Sequence, residues 1–432
     1  MNEKYALIGA GPAGLAGARN LQRMNIPFDG FEAHSEVGGL WDLANPRSTM
    51  YESAHLISSK KMTEFKEFPM PDNVPDYPSH THLRDYFRSF ARHFNLRQYY
   101  RFNTAVTKVE PLDNEWNVTL HHGEAQRYRG VLIANGTLSE PNIPNFKGEF
   151  TGELLHAALY KSATLFSGKR VLIIGAGNSG CDLVVDAVHH AKSTAISVRR
   201  GYHFVPKYML GRPADSLGGM IKLPAGLKQK IDGALLKLFL GDPQKFGFPQ
   251  PDHKLYESHP IVNSLILYYL GHGDIRVKPD ISHFEGKSVC FIDGSREEFD
   301  LVLLATGYKL HYPFINKEQL NWNGAAPRLY LNAFHPERDN LFVLGMIEAA
   351  GIGWQGRYEQ AELVARFIRA CQNNSPEAQR FKQTKRAPLP NLSGGFRYLK
   401  LERMAYYVHK DSYLALLRRH LHRFRKEQTA FK

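Results

Sequence analysis

One short pattern occurs twice in the chain and dictates most of what it can fold into. Residues Tyr5 to Gly14 read Tyr-Ala-Leu-Ile-Gly-Ala-Gly-Pro-Ala-Gly, an apolar run ending in a glycine-rich turn, with a helix-compatible segment from Leu15 to Met24 behind it. Arg170 to Ile174 is a second apolar run, followed by Gly175-Ala-Gly-Asn-Ser-Gly180, 166 residues after the first turn, and by an amphipathic segment from Cys181 to Ala191. Strand, turn and helix entry together set a pyrophosphate on the N–H groups of a helix N-terminus. In the first turn Gly9 allows the tight reversal, Gly11 lets the backbone approach the phosphates, and Gly14 lets the helix pack on its strand, with Pro12 and Ala13 completing the entry. Gly175, Gly177 and Gly180 hold the same places in the second turn, with Asn178 and Ser179 between them. Two such turns predict two nucleotide sites on two nested, doubly wound (Rossmann-like) α/β domains.

The strand after each turn separates the two sites. Phe28 to Phe31 runs into Glu32, eighteen residues after Gly14, where a carboxylate accepts hydrogen bonds from a ribose diol. Ser193 to Val198 runs into Arg199-Arg200, placed to clamp a 2′-phosphate. The first site therefore suits FAD and the second NADPH. Ile275 to Val277, Val289 to Ile292 and Leu301 to Leu304 read as further strands, the last ending in Ala305-Thr306-Gly307-Tyr308, whose Thr306 and Gly307 join the NADP set. Leu341 to Leu344, and helical spacing over Glu359 to Cys371, return the chain to the first fold. The expected division is residues 1–160 with 310–372 for FAD and 161–309 for NADP, followed by a basic helical extension over 373–432. Residues 211–260 lack strand signals and read as a helical insertion centred on Leu223 to Leu240.

Composition narrows the function classes. Cys181, Cys290 and Cys371 form no C-x-x-C pair, which excludes both a disulfide framework and a disulfide reductase and fits a reducing cytoplasm. The first apolar run meets glycine too soon to be a signal peptide or a membrane span. Of the net charge of +13, residues 380–432 supply +11. The body is thus that of an ordinary enzyme, and the tail lacks a nucleic-acid motif. Leu414, Leu417, Leu421 and Phe424 give the tail one apolar helical face. That face reads as part of a solvated extension, with peripheral membrane contact through the tail or the insertion, and a homodimer, left open. The histidines lack the spacing or carboxylate partners of a metal site, and no metal is expected.

Further motifs carry a resemblance. The segment Phe150-x-Gly152-x-x-x-His156-x-x-x-Tyr160-Lys161 is similar to the linker between the nucleotide folds of class B flavin-dependent monooxygenases. Tyr160-Lys161 resembles the flavin-containing monooxygenase branch, where the Baeyer-Villiger enzymes usually have Trp-Pro. Gly38-Gly39-Leu40-Trp41, Arg199-Arg200, His259-Pro260, Lys278-Pro279 and Ala305-Thr-Gly-Tyr308 agree with the same branch. The resemblance implies that NADPH reduces FAD, that dioxygen adds at flavin C4a, and that one oxygen atom passes to a nucleophilic nitrogen or sulfur of a small organic substrate. Baeyer-Villiger oxygenation, oxidative decarboxylation and release of hydrogen peroxide are the alternatives; a non-catalytic flavin-binding module docking through the tail is a weaker one. Gly39, Leu40, Trp41 and Val106 join the expected FAD set, and the linker motif is expected to couple the domains more than to do chemistry. One departure stands out. Where the branch commonly has an asparagine beside the flavin this chain has Ile57, as in plant auxin-forming members, and isoleucine donates no hydrogen bond. His55 and Ser58 are therefore the candidates for the environment of the flavin peroxide.

Overall fold

The structure is a computed structural model that describes residues 3–217 and 223–430. Two five-stranded parallel sheets form its centre. The first runs, in spatial order, Leu341–Val343, Gly130–Ile133, Tyr5–Ile8, Phe28–Phe31 and Tyr100–Arg101. The second runs Glu153–His156, Leu301–Leu304, Arg170–Ile174, Ser193–Ser197 and Ile275–Lys278. Parallel strands covered on both faces read as continuous apolar runs, and Tyr5–Ile8, Gly130–Ile133 and Leu301–Leu304 are buried at every position.

The sheets shift one expected boundary. Gly148–Phe150 pairs with the strand Ile281–Gly286, and Glu153–His156 with Leu301–Leu304, so residues 148–156 belong structurally to the second fold although the sequence motifs put the break at 160. The linker motif is thus the first edge strand of the NADP sheet. Its backbone finds partners there because that sheet otherwise has an open edge beside Leu301–Leu304.

The helix Gly353–Gln372 starts six residues earlier than its apolar periodicity indicates and is buried on nearly all sides. The helix Pro12–Arg23 covers it from one side, and Lys410–Ala430 from the other. This placement revises the picture of a solvated tail. Tyr413, Leu417, Leu421 and Phe424 are at most 2% exposed, packed with Phe381 of the helix Pro376–Arg386, and Leu414 is half-buried. Several tail cations are also spoken for. Arg418 forks onto Glu359 at 2.7 and 2.9 Å, and Arg425 onto Glu362 at 2.7 and 2.8 Å. Lys385 donates to the carbonyls of His335 and Pro336 at 2.7 and 2.6 Å.

The insertion contains the expected helix, Ala225–Leu240, but none of its residues is buried. Leu227, Ile231, Leu235, Leu238 and Phe239 are all more than 40% exposed. Because the tail helix is core and the insertion helix is not, their apolar faces respond differently to truncation. Phe424→Ala should cost about 3–5 kcal/mol of unfolding free energy, and Leu238→Ala less than about 0.5, read from denaturant midpoints.

Candidate active site

At the first turn, Gly9 has φ +104°, and a Cβ there would sit 2.5 Å from the Ala134 carbonyl oxygen. A Cβ on Gly14 would run into the carbonyl of Gly9, so helix and strand touch because neither has a side chain between them. Gly11 caps the helix and Pro12 opens it, where its missing N–H costs nothing. Ala13 faces Gly345, and Gly39 lies beside Gly11. Leu40 and Trp41 are half-buried, Trp41 meeting Trp354 edge-on at 6.0 Å. Glu32 accepts from the Ala10 N–H at 2.6 Å and the His34 N–H at 2.9 Å. Burial pushes its carboxyl up, opposed by those two bonds and by His34 and Arg47. Each carboxylate oxygen keeps a second lone pair for a ribose hydroxyl. Val106, by contrast, starts a strand in a separate antiparallel sheet, opposite Leu120, and packs on the core beneath Phe31.

The second turn repeats this geometry, with Gly175 at φ +103° and Gly180 against the Gly175 carbonyl. Gly177 caps its helix, and Ser179 is half-buried. Asn178 is engaged at both ends, donating to the Pro260 carbonyl at 3.2 Å and accepting from the Val262 N–H at 2.7 Å, which ties the end of the insertion to the turn. Arg200 pairs with Asp252 at 3.2 Å through Nη2, while its Nε and Nη1 are buried without an acceptor. Arg199 is exposed. Two buried donors with no partner are costly unless a ligand such as a 2′-phosphate meets them. Thr306 Oγ1 donates to the Asn142 carbonyl at 2.5 Å. The glycine cradles, Glu32 and the two unpartnered donors of Arg200 therefore fit FAD and NADPH.

The linker side chains join the domains. His156 donates through Nε2 to the Gly307 carbonyl at 3.1 Å and accepts from the Ala158 N–H through Nδ1, and burial pushes the ring below its usual range. Phe150 packs over Gly152 and against Phe284. The Lys161 ammonium donates to the carbonyls of Ser48, Met50 and Ala158 at 2.5, 3.2 and 3.3 Å, and the Tyr160 hydroxyl to Asp186 at 2.9 Å. Sequence reasoning missed the acceptors. Asp182 and Asp186, one turn apart on the helix Asn178–Val188, receive Tyr51 (3.1 Å), Asn263 (2.6 Å), Tyr160 and Ser53. Their i, i+4 spacing next to the second turn was the available signal.

The segment beside the expected flavin peroxide is polar but already partnered. His55 is exposed, with Nδ1 2.9 Å from the Ser53 carbonyl, Ser58 Oγ lies 2.7 Å from Thr63 Oγ1, and Ile57 is half-buried. Asp215 reaches in from the insertion to accept the Ser59 N–H at 2.7 Å, which no sequence pattern announced. Among the described residues, His283, Glu285 and Cys290 have ligand atoms within 4.8 Å of one another, a grouping the sequence spacing hid, but Glu285 is already paired with Arg296 at 3.1 Å.

The Arg200 geometry gives a direct test. Arg200→Gln should raise KM for NADPH by about 10- to 100-fold, the loss of charge-assisted bonds, while leaving KM for NADH nearly unchanged, as steady-state oxidation of each nucleotide would show.

A family model described as flavin-binding monooxygenase-like matches residues 2–402. Flavin-containing monooxygenase 5 of Rattus norvegicus is 31% identical over 377 residues, covering 81% of this chain and 70% of the relative. The probable indole-3-pyruvate monooxygenase YUCCA9 of Arabidopsis thaliana is 31% identical, covering 71% of this chain and 75% of the relative. In fold the chain is similar to a Rhodococcus cyclohexanone monooxygenase variant bound to NADP+, with a TM-score of 0.70 at 20% identity over 88% of this chain and 89% of that one. The chain therefore belongs to the flavin-binding monooxygenase-like family and is an NADPH- and FAD-dependent enzyme.

Proposed function

We propose that the enzyme places one oxygen atom of dioxygen on a nucleophilic nitrogen or sulfur of a small organic molecule. In balance, NADPH, a proton, dioxygen and substrate give NADP+, water and the oxygenated product. The observation that carries this reading is the linker ending Tyr160-Lys161, the pair that resembles the heteroatom-oxidising branch, with Lys161 bonded to the Ser48 and Met50 carbonyls of the FAD domain and Tyr160 to Asp186 of the NADP fold. Bound flavin supplies the single-electron chemistry that lets triplet dioxygen react. The chain's own residues bind, orient and exclude water. The glycine turns receive the two pyrophosphates, Arg200 with Arg199 holds the 2′-phosphate, and Glu32 takes the adenosine ribose of FAD. Thr306, Gly307, Asn178 and Ser179 shape the rim of the NADP turn, and Gly39, Leu40 and Trp41 that of the FAD turn. No side chain is assigned as a general base.

Ile57 bears on the outcome. With no donor at this position, and with Ser58 partnered by Thr63, water is kept away chiefly by packing. The FAD-loaded chain should oxygenate methyl phenyl sulfide to the sulfoxide with NADPH consumption in at least equal amount. Ketone-to-ester conversion in preference, or NADPH consumption ending almost wholly in hydrogen peroxide, would overturn the nitrogen and sulfur reading in favour of Baeyer-Villiger or oxidase chemistry.

A second reading concerns location. The insertion helix presents Leu238 at 78% and Phe239 at 49% exposure, with Lys230 and Lys237 exposed on the same helix. That combination favours peripheral contact with an anionic membrane surface through the insertion, since the tail helix has buried its apolar face. No helix of the described residues is long and apolar enough to cross a membrane. Phosphatidylserine vesicles should co-sediment the protein, and Leu238→Glu with Phe239→Glu should abolish this.

A further inference from the structure

Beyond the linker, the C-terminal segment forms a second tie between the domains, and it carries charge. The Leu399 N–H donates to the Glu257 carbonyl at 2.9 Å, and the Val408 N–H to the Glu348 carbonyl at 2.8 Å. Between these points Tyr407 places its hydroxyl 3.3 Å from His259 Nδ1. His259 adjoins Pro260, the residue bound by Asn178 of the NADP turn. Glu348 lies just beyond Leu341–Val343 and Gly345, at the edge of the first sheet that carries the FAD turn. Arg403 therefore sits where the two nucleotide folds and the C-terminal segment converge.

The charges there do not cancel. Arg403 forks onto Glu348, through Nε at 2.6 Å and through Nη2. Arg357 stands 4.0 Å from the same carboxylate and donates to the carbonyls of Gly353 and Ile347 at 2.8 and 2.7 Å. Among the described residues Glu348 is the only carboxylate paired with either guanidinium. His259 adds no negative charge and is neutral at pH 7, pushed down to about 4 by burial and by Arg403. Burial pulls the Glu348 carboxyl up, but Arg403 first and Arg357 with it hold it below its usual range, so it is ionised. Two guanidiniums against one carboxylate leave one positive charge. The Arg403 side chain is 41% exposed, and its Nη1 meets no acceptor among the described residues. The surplus positive charge reaches the surface through Arg403, where a planar anion can meet its free edge.

We propose that the substrate carries a carboxylate, received by Arg403 with Arg357 behind it, and that this pair selects anionic nitrogen or sulfur compounds over neutral ones. The inference rests on the oxygenation proposed above. A guanidinium fork suits a carboxylate better than a point charge does.

The test uses the FAD-loaded full-length chain and two sulfides that share one aryl group, (phenylthio)acetate and methyl phenyl sulfide. The kcat/KM for the anion should exceed that for the neutral sulfide by about tenfold or more, and the preference should shrink as salt is raised. Benzoate should inhibit competitively, which tests the charge without any variant. Arg403→Gln should bring the ratio of the two sulfides near unity through KM of the anion, Arg403→Lys should recover part of it, and Glu348→Gln should preserve or enlarge it. Equal or reversed preference in the unaltered protein would overturn the proposal while leaving oxygenation standing. If Arg403→Gln slows flavin reduction by NADPH yet leaves the ratio intact, the charge serves the cofactor and the substrate assignment fails. Oxygenation of neither sulfide would remove the reading on which the proposal depends.

Discussion

Relative placement of the two nucleotide folds is the constraint on which the rest of the molecule depends, and two carboxylates on one helix carry much of it. Asp182 and Asp186 project one turn apart from the helix that begins at the NADP turn, and they gather hydroxyls from Tyr51 and Ser53 of the FAD domain and from Tyr160 of the linker. Burial pushes the Asp182 carboxyl up, against the bonds from Asn263 and Tyr51 and the charge of Lys207. Hydrogen-bonded polar groups in such a place fix geometry more than they add stability, because the alternative arrangement leaves a desolvated carboxylate without a partner. Electron transfer between two bound nucleotides needs that kind of fixed approach.

Which interactions are local decides how much of this was legible in the sequence. The glycine turns were readable because the reason for each glycine lies within a few residues or on the adjacent strand, and Gly14 against Gly9 has its direct counterpart in Gly180 against Gly175. Glu32 and Arg200 were readable because the strand before each fixes its place. The break assigned at 160 missed because pairing of Glu153–His156 with Leu301–Leu304 is a contact across some 150 positions, and an edge strand with mixed burial has no periodicity to announce it. The strand that starts at Val106 belongs to an antiparallel sheet, which the alternating pattern shows but cannot orient.

Charge taught a different lesson. The tail's excess of lysine and arginine reads as a solvated extension with anionic contact left open, yet Arg418, Arg425 and Lys385 are engaged by groups of the molecule itself. They do so because the helix Gly353–Gln372 is covered on both sides, which buries Glu359 and Glu362 and obliges them to find cations. Net charge in a segment thus measures partners needed as well as partners offered. Only the packing distinguishes the two.

The same distinction makes the C-terminal segment more than an appendage. Arg403 stands one residue past the family-model match, yet it neutralises Glu348 beside the first sheet's edge, and without it that carboxylate would face only Arg357 at 4.0 Å and a neutral imidazole. A half-buried acid in that position favours a cation, and the one supplied comes from a segment whose flanking backbone is pinned to both domains through Glu257 and Glu348. Any motion that opened the domains would have to break the ion pair or drag the segment with it. The charge balance around Glu348 and the mechanical coupling of the two folds are therefore set by the same side chain.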